Sequence, residues 1–67
     1  MATITINGER RNWEGEKTLR ELIQSLNLKT ENLLIEQNFE IVPANQLDER
    51  MARAGDVIEI IRIVGGG

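Results

Sequence analysis

Few residues of this chain could take part in covalent or acid–base chemistry. The sequence contains no cysteine and no histidine, which removes thiolate nucleophiles, imidazole bases and the usual zinc sites. Two close carboxylate pairs occur, Asp48 with Glu49 and Glu14 with Glu16, but neighbouring carboxylates on exposed loops lack a pocket that would perturb them. If the protein takes part in a reaction, its reactive group is therefore an unusual one.

The glycine run at the end of the sequence is the remaining candidate. Gly65, Gly66 and Gly67 follow a stretch of β-branched residues. Glycine leaves no side chain to obstruct a narrow active site and reaches φ angles closed to other residues, and a run of glycines is flexible enough to visit more than one partner. The alternative explanation is a frayed end or a cloning remnant. The fold of the domain that precedes the glycine run is needed to choose between a functional tail and a frayed end.

Composition and charge narrow the possible functions. With 67 residues the chain has room for one hydrophobic core, and 40% apolar with 28% charged residues is typical of a globular domain. The eight basic residues are scattered and the net charge is -3, which argues against nucleic-acid binding because that requires a concentrated basic face. We expect neither a signal peptide nor a membrane span, and predict a cytoplasmic location.

The first half of the chain predicts a hairpin. Residues 2–6 alternate in polarity, and Asn7-Gly8 is a strong signal for a type I′ turn because both residues tolerate positive φ angles. The return strand would cover residues 9–13 and end at Trp13, which we expect to anchor the core.

A helix follows the hairpin. Thr18 and Glu21 have the spacing of a capping box. We expect the helix to end at Asn27 and Leu28 to fold back onto the helix end. One face of the helix is apolar, with residues at i, i+3, i+4 and i+7: Leu19, Leu22, Ile23 and Leu26.

The second half of the chain predicts strands. Residues 33–36 read as a short buried strand, a second short strand ends at Pro43, a single helical turn and a Gly55-Asp56 turn follow, and residues 57–63 form the final strand. The fold class is α+β, a ubiquitin-like β-grasp in which one main helix packs across a mixed four- to five-stranded sheet with the last strand central. The predicted core is Ile4, Ile6, Leu19, Leu22, Ile23, Leu26, Leu34, Ile58 and Ile60.

The order of these segments resembles a known family. NGE in the first hairpin, TLRELIQSL as the helix, IEQNFEIVP in the middle and AGDVIEIIRIVGGG at the end resemble the ThiS family of sulfur carrier proteins of thiamine biosynthesis. The resemblance covers essentially the whole chain. Members often have a basic residue just after the proline and an aromatic residue three positions further on, where this chain has Ala44 and Leu47, so no partner contact is carried over to that loop.

The resemblance implies a function for the glycine run. An E1-like, ATP-dependent enzyme would adenylate the carboxylate of Gly67, sulfur from a donor such as a cysteine desulfurase would replace AMP, and thiazole synthase would accept the sulfur. The chain would then be a protein co-substrate and not an enzyme, with no bound cofactor or metal, ATP being used by the activating partner. Residues 1–64 would form the domain, and residues 65–67 a flexible tail in which Gly65 and Gly66 contact partners.

Other classes remain open beside the thiazole sulfur carrier. The chain could be similar to a molybdopterin-synthase small subunit or to a ubiquitin-like modifier joined to lysine. It could also be a non-covalent β-grasp binding module whose tail is incidental. Removing the glycines separates the last class from the carriers, since a module would still bind its partner.

The final strand predicts a partner surface. Successive side chains of a strand point to opposite faces, so if Ile58 and Ile60 face the helix, Ile61 and Ile63 lie on the other face. We expect these two to stay exposed as an apolar patch that leads into the tail and binds partners. The alternative is a β-bulge that reverses the alternation and buries both.

Overall fold

The computed structural model describes residues 2–63, so the tail assigned to residues 65–67 lies outside the described residues, as does the predicted domain boundary. One α-helix and one 3₁₀ helix, Ala44–Gln46, occur among these residues. The α-helix is α1 (Leu19–Ser25) and the strands are β1 (Thr3–Ile6), β2 (Glu9–Asn12), β3 (Lys17–Thr18), β4 (Leu33–Gln37), β5 (Glu40–Val42), β6 (Met51–Ala52) and β7 (Val57–Arg62).

The main sheet is five-stranded and mixed. Its strand order is β2-β1-β7-β4-β5, and a separate two-stranded sheet pairs β3 with β6. The central pair, β1 and β7, is parallel, while β2, β4 and β5 pair with their neighbours in antiparallel fashion. The predicted β-grasp, with the last strand central and one helix across the sheet, is confirmed.

The first hairpin turn and the start of the helix form as the sequence predicts. Asn7 and Gly8 have φ angles of 51° and 80°, so the first hairpin has the left-handed geometry of a type I′ turn. At the helix start, the Glu21 amide donates to Thr18 Oγ1 at 3.1 Å and the Thr18 amide donates to Glu21 Oε1 at 2.9 Å. This reciprocal capping box satisfies two amides that have no partner within the helix.

The helix ends in a Schellman motif. Asn27 adopts a φ of 61°, its amide donates to the Gln24 carbonyl at 2.9 Å, and the Leu28 amide donates to the Ile23 carbonyl at 3.3 Å. Leu28 then packs against the core. Both the predicted terminator and the predicted fold-back of Leu28 are confirmed.

The core lies between α1 and one face of the sheet, which we call the inner face. Trp13 is buried as predicted, and Ile35 is buried in place of the predicted Leu34. The prediction of Leu34 was wrong because side chains alternate along a strand, so that β4 directs Leu33 and Ile35 inward and Leu34 outward. The buried apolar residues are Ile4, Ile6, Trp13, Leu19, Leu22, Ile23, Ile35, Val42, Leu47, Ala52 and Ile58, with Leu26, Leu28, Leu33 and Ile60 packed against them.

Strands β3 and β6 were not predicted from the sequence. Lys17 pairs with Ala52 and Thr18 with Met51, an antiparallel contact between segments far apart in the chain. Two residues are too few for a periodic pattern. This small sheet closes the end of the core beside α1, where Ala52 is fully buried.

Candidate functional site

Strand β7 leads from the centre of the sheet toward the glycine run. Ile58 is fully buried and Ile61 is 45% exposed. The register with β4 advances one residue at a time from Gln37 opposite Ile58 to Leu33 opposite Arg62. The register therefore contains no bulge between residues 58 and 62, and the predicted exposure of Ile61 on the face away from the helix, the outer face, is observed.

Ile63 follows β7 and is 52% exposed, as expected. Its amide donates to the Asn32 carbonyl at 2.8 Å, which extends the contact with the β4 side of the molecule by one residue. Ile63 also lines a cleft together with Arg62, Leu28 and Lys29. The last described residue thus lies where the outer face meets a partly basic cleft beside the helix end.

The outer face carries an apolar group that the sequence did not predict. Leu34 lies directly opposite Ile61 in the register of β4 and β7. On the next strand, Ile41 is exposed and lies opposite Glu36. The alternation of side chains within LLIEQ and EIV is consistent with such a patch. Predicting it from the sequence would have required knowing which alternate residues of each strand face the helix. Ile61 therefore belongs to a patch that crosses three strands, β7, β4 and β5.

A carboxylate fixes the turns at the opposite end of β7. Asp56 accepts hydrogen bonds from the Arg53 amide and Gln37 Nε2, both at 2.9 Å, and from Asn38 Nδ2 at 3.1 Å. Partial burial acts to raise the pKa of Asp56, but these three hydrogen bonds and the nearby charge of Arg53 outweigh it, so the pKa lies below its usual value. Asp56 thereby joins the β6–β7 and β4–β5 turns.

Phe39 stands at the tip of the β4–β5 turn. Asn38 and Phe39 have φ angles of 52° and 70°, a conformation that is costly for a bulky side chain. The Asn38 side chain and amide bind the backbone of Val57, which holds the turn in place. As a result the Phe39 ring is 80% exposed.

The described residues offer little to catalyse a reaction. Within residues 2–63 no group of three acidic side chains could hold a metal ion, and no helix there is long and apolar enough to cross a membrane. The carboxylate pairs Asp48–Glu49 and Glu14/Glu16 lie at exposed positions. The candidate site is therefore the outer face with the end of β7, while Gly65, Gly66 and Gly67 lie outside the described residues.

Comparison with known proteins gives one consistent result for sequence and structure. The model of the ThiS family matches residues 4–67. A thiazole synthase of Paramagnetospirillum magneticum is 34% identical over 64 residues, and a sulfur carrier protein ThiS of Thermus thermophilus is 31% identical over 64 residues. The alignment covers 96% of this chain in both cases, and 20% of the synthase but 98% of the carrier.

A solved structure has the same fold over nearly its full length. The crystal structure of the thiamine biosynthesis protein ThiS from Geobacter metallireducens superposes with a TM-score of 0.85 at 26% identity. The superposition covers 97% of this chain and 99% of that one.

Proposed function

The chain belongs to the ThiS family, and we propose that it is a sulfur carrier of thiamine biosynthesis whose reactive group is the carboxylate of Gly67. The observation that carries this proposal is that the family match runs through residue 67 and so includes the glycine run. The Thermus carrier, matched over 98% of its length, supports the same role. In this role the chain is a protein co-substrate and not an enzyme, so its own side chains need no catalytic group.

The proposed chemistry overcomes the low reactivity of a carboxylate, whose negative charge repels nucleophiles and whose oxide is a poor leaving group. An E1-like enzyme uses ATP to convert the Gly67 carboxylate into an acyl adenylate, releasing pyrophosphate. The outer sulfur of a persulfide, from a donor such as a cysteine desulfurase, attacks the carbonyl carbon and AMP leaves. A thiol then cleaves the S–S bond of this acyl disulfide, forming a new disulfide and leaving a thiocarboxylate on Gly67.

Thiazole synthase is the proposed acceptor of this sulfur. The synthase of Paramagnetospirillum magneticum aligns with nearly this whole chain over one fifth of its own length. A region similar to the carrier within the same polypeptide as a synthase supports a physical partnership between the two activities.

Exposed residues before the glycine run are proposed to contact these partners. Ile61 and Ile63 expose 45% and 52% of their surface, and apolar side chains beside a reactive group can fix its approach by being buried on binding. Gly65 and Gly66 would then carry the carboxylate through a narrow entrance because they have no side chains.

The test is the intact mass of the protein after incubation with an E1-like enzyme, ATP, a persulfide donor and a thiol that releases the thiocarboxylate. We expect a mass gain equal to the replacement of one oxygen by sulfur. Deleting Gly66 and Gly67 should abolish the gain, whereas the matched deletion of Gly65 alone should retain it, and both variants should keep the circular dichroism of the folded protein. Sulfur incorporation by the Gly66–Gly67 deletion would contradict the proposal, and a conjugate with lysine would favour a ubiquitin-like modifier.

A further inference from the structure

Two glutamates face each other at the centre of the outer sheet face. Glu36 on β4 lies directly opposite Glu59 on β7, which places their Cβ atoms about 5 Å apart. Both side chains are half-buried. Ile41 lies opposite Glu36 on the far side, and Ile61 follows Glu59 by two residues on the same face. The two carboxylates thus lie beside the apolar residues Leu34, Ile41 and Ile61.

This pair has no compensating charge in the part of the chain that the structure describes. The ion pairs there join Arg11 to Glu9, Arg20 to Asp48 and Arg53 to Glu16, and none involves Glu36 or Glu59. Neither carboxylate accepts a side-chain or backbone hydrogen bond from residues 2–63.

Arg10 is a basic residue on the outer face, but it forms no ion pair with either glutamate within residues 2–63. Arg10 lies opposite Thr5, which in turn lies beside Val57, so Arg10 is two strands away from β7. Two strand spacings separate their backbones by about 9.5 Å. Like charges placed directly opposite each other on neighbouring strands destabilise a sheet. Glu36 and Glu59 therefore present two like charges that have no ion-pair partner within residues 2–63, and a basic group from outside would supply that partner.

We propose that the outer face binds thiazole synthase, and that a basic side chain of the synthase, best an arginine, lies between Glu36 and Glu59. The apolar residues Leu34, Ile41 and Ile61 would flank this contact. An arginine fits because its planar guanidinium has five donors and can bind two carboxylates at once. Exclusion of water by the surrounding isoleucines would strengthen the charge interaction. The inference rests on the proposed function, and the synthase is chosen because a carrier-like region occurs within a synthase polypeptide.

The double variant E36Q/E59Q tests this assignment, because glutamine keeps the shape of glutamate and removes both charges. The matched control is E14Q/E49Q, which makes the same change in net charge at two exposed positions that form no ion pair within residues 2–63. The probe is a purified thiazole synthase without a carrier-like region of its own, titrated by calorimetry at low and high salt.

We expect E36Q/E59Q to bind the synthase about tenfold or more weakly and to lose most of the salt dependence of binding. Its melting temperature should rise by a few degrees because the repulsion is removed. The control should retain the affinity of the unaltered protein. A variant E36Q/E59Q that is more stable but binds more weakly would show that the two glutamates serve partner binding and do not stabilise the fold.

Unchanged affinity of E36Q/E59Q would overturn the inference, as would a fall in its melting temperature or an equal loss in the control. A loss of affinity for the adenylating enzyme alone would also overturn the assignment to thiazole synthase. The mass gain on Gly67 does not depend on the synthase. A normal mass gain with unchanged synthase binding therefore rejects this inference alone, whereas no mass gain in the unaltered protein rejects the proposed function.

Discussion

Ile58 and Ile61 lie three residues apart on β7 and face opposite sides of the sheet, so truncating each to alanine should separate stability from binding. Ile58 is fully buried, and Ile58→Ala is expected to lower the free energy of unfolding by about 2 to 5 kcal/mol, because it leaves a cavity that the core fills only partly. Ile61 is 45% exposed, so Ile61→Ala should cost about 1 kcal/mol or less.

The expected binding effect follows from the exposed fraction of Ile61. Burying a whole isoleucine side chain contributes about 1.5 to 3 kcal/mol. Covering the 45% that is exposed in the free protein should therefore contribute about 0.7 to 1.4 kcal/mol. Ile61→Ala should accordingly raise the Kd for thiazole synthase about three- to tenfold.

Urea unfolding and calorimetric titration of the same two variants measure both quantities. At temperatures where Ile58→Ala remains folded, its Kd should match that of the unaltered protein. If Ile61→Ala unfolds as easily as Ile58→Ala, the outward orientation of Ile61 is wrong. If it remains stable and binds both the synthase and the adenylating enzyme normally, Ile61 does not belong to a partner surface.

Two further predictions concern the turns at the ends of β4 and β7. Asp56→Asn should lower the free energy of unfolding at pH 7 by about 1 to 2 kcal/mol, because three donors would then face one acceptor oxygen. Since the folded-state pKa of Asp56 is lowered, its contribution is present above the unfolded-state pKa of about 3.9 and is lost as pH falls through the folded value. Urea titrations should therefore show the gap between the two proteins closing at acid pH, and a constant gap would contradict this. Phe39→Gly should raise the free energy of unfolding by about 0.5 to 1 kcal/mol by relieving the positive φ. Gly8→Phe, the reverse change in the first hairpin, should lower it, and a destabilised Phe39→Gly would show that the ring supports the fold.

Features that depend on neighbouring residues could be predicted from the sequence. The Asn7-Gly8 turn and the Thr18–Glu21 capping box formed as expected, because each rests on interactions within four residues of the chain. The order of hairpin, helix and final strand followed from the same local patterns. That order, with the glycine run, was also sufficient to identify the family.

Features that depend on contacts between distant segments could not be predicted in this way. LLIEQ contains three consecutive apolar residues, and only the pairing of β4 with β7 decided that Ile35 packs inward while Leu34 faces outward. Leu47 gave no periodic signal, yet it is buried in the core. Leu47 lies in the loop where this chain departs from the family pattern, so the family resemblance did not predict its burial either.

By itself, the sequence determined the fold class and predicted Gly67 as the candidate reactive residue, because local propensities and a glycine run are properties of contiguous residues. Only the tertiary structure showed which side chains share the outer face with Ile61. Glu36 and Glu59 are distant in the chain and face each other only because the register of β4 and β7 brings them together. That register is fixed by burying Ile35 and Ile58 on the other face of the same strands, since a shift of one residue would expose both.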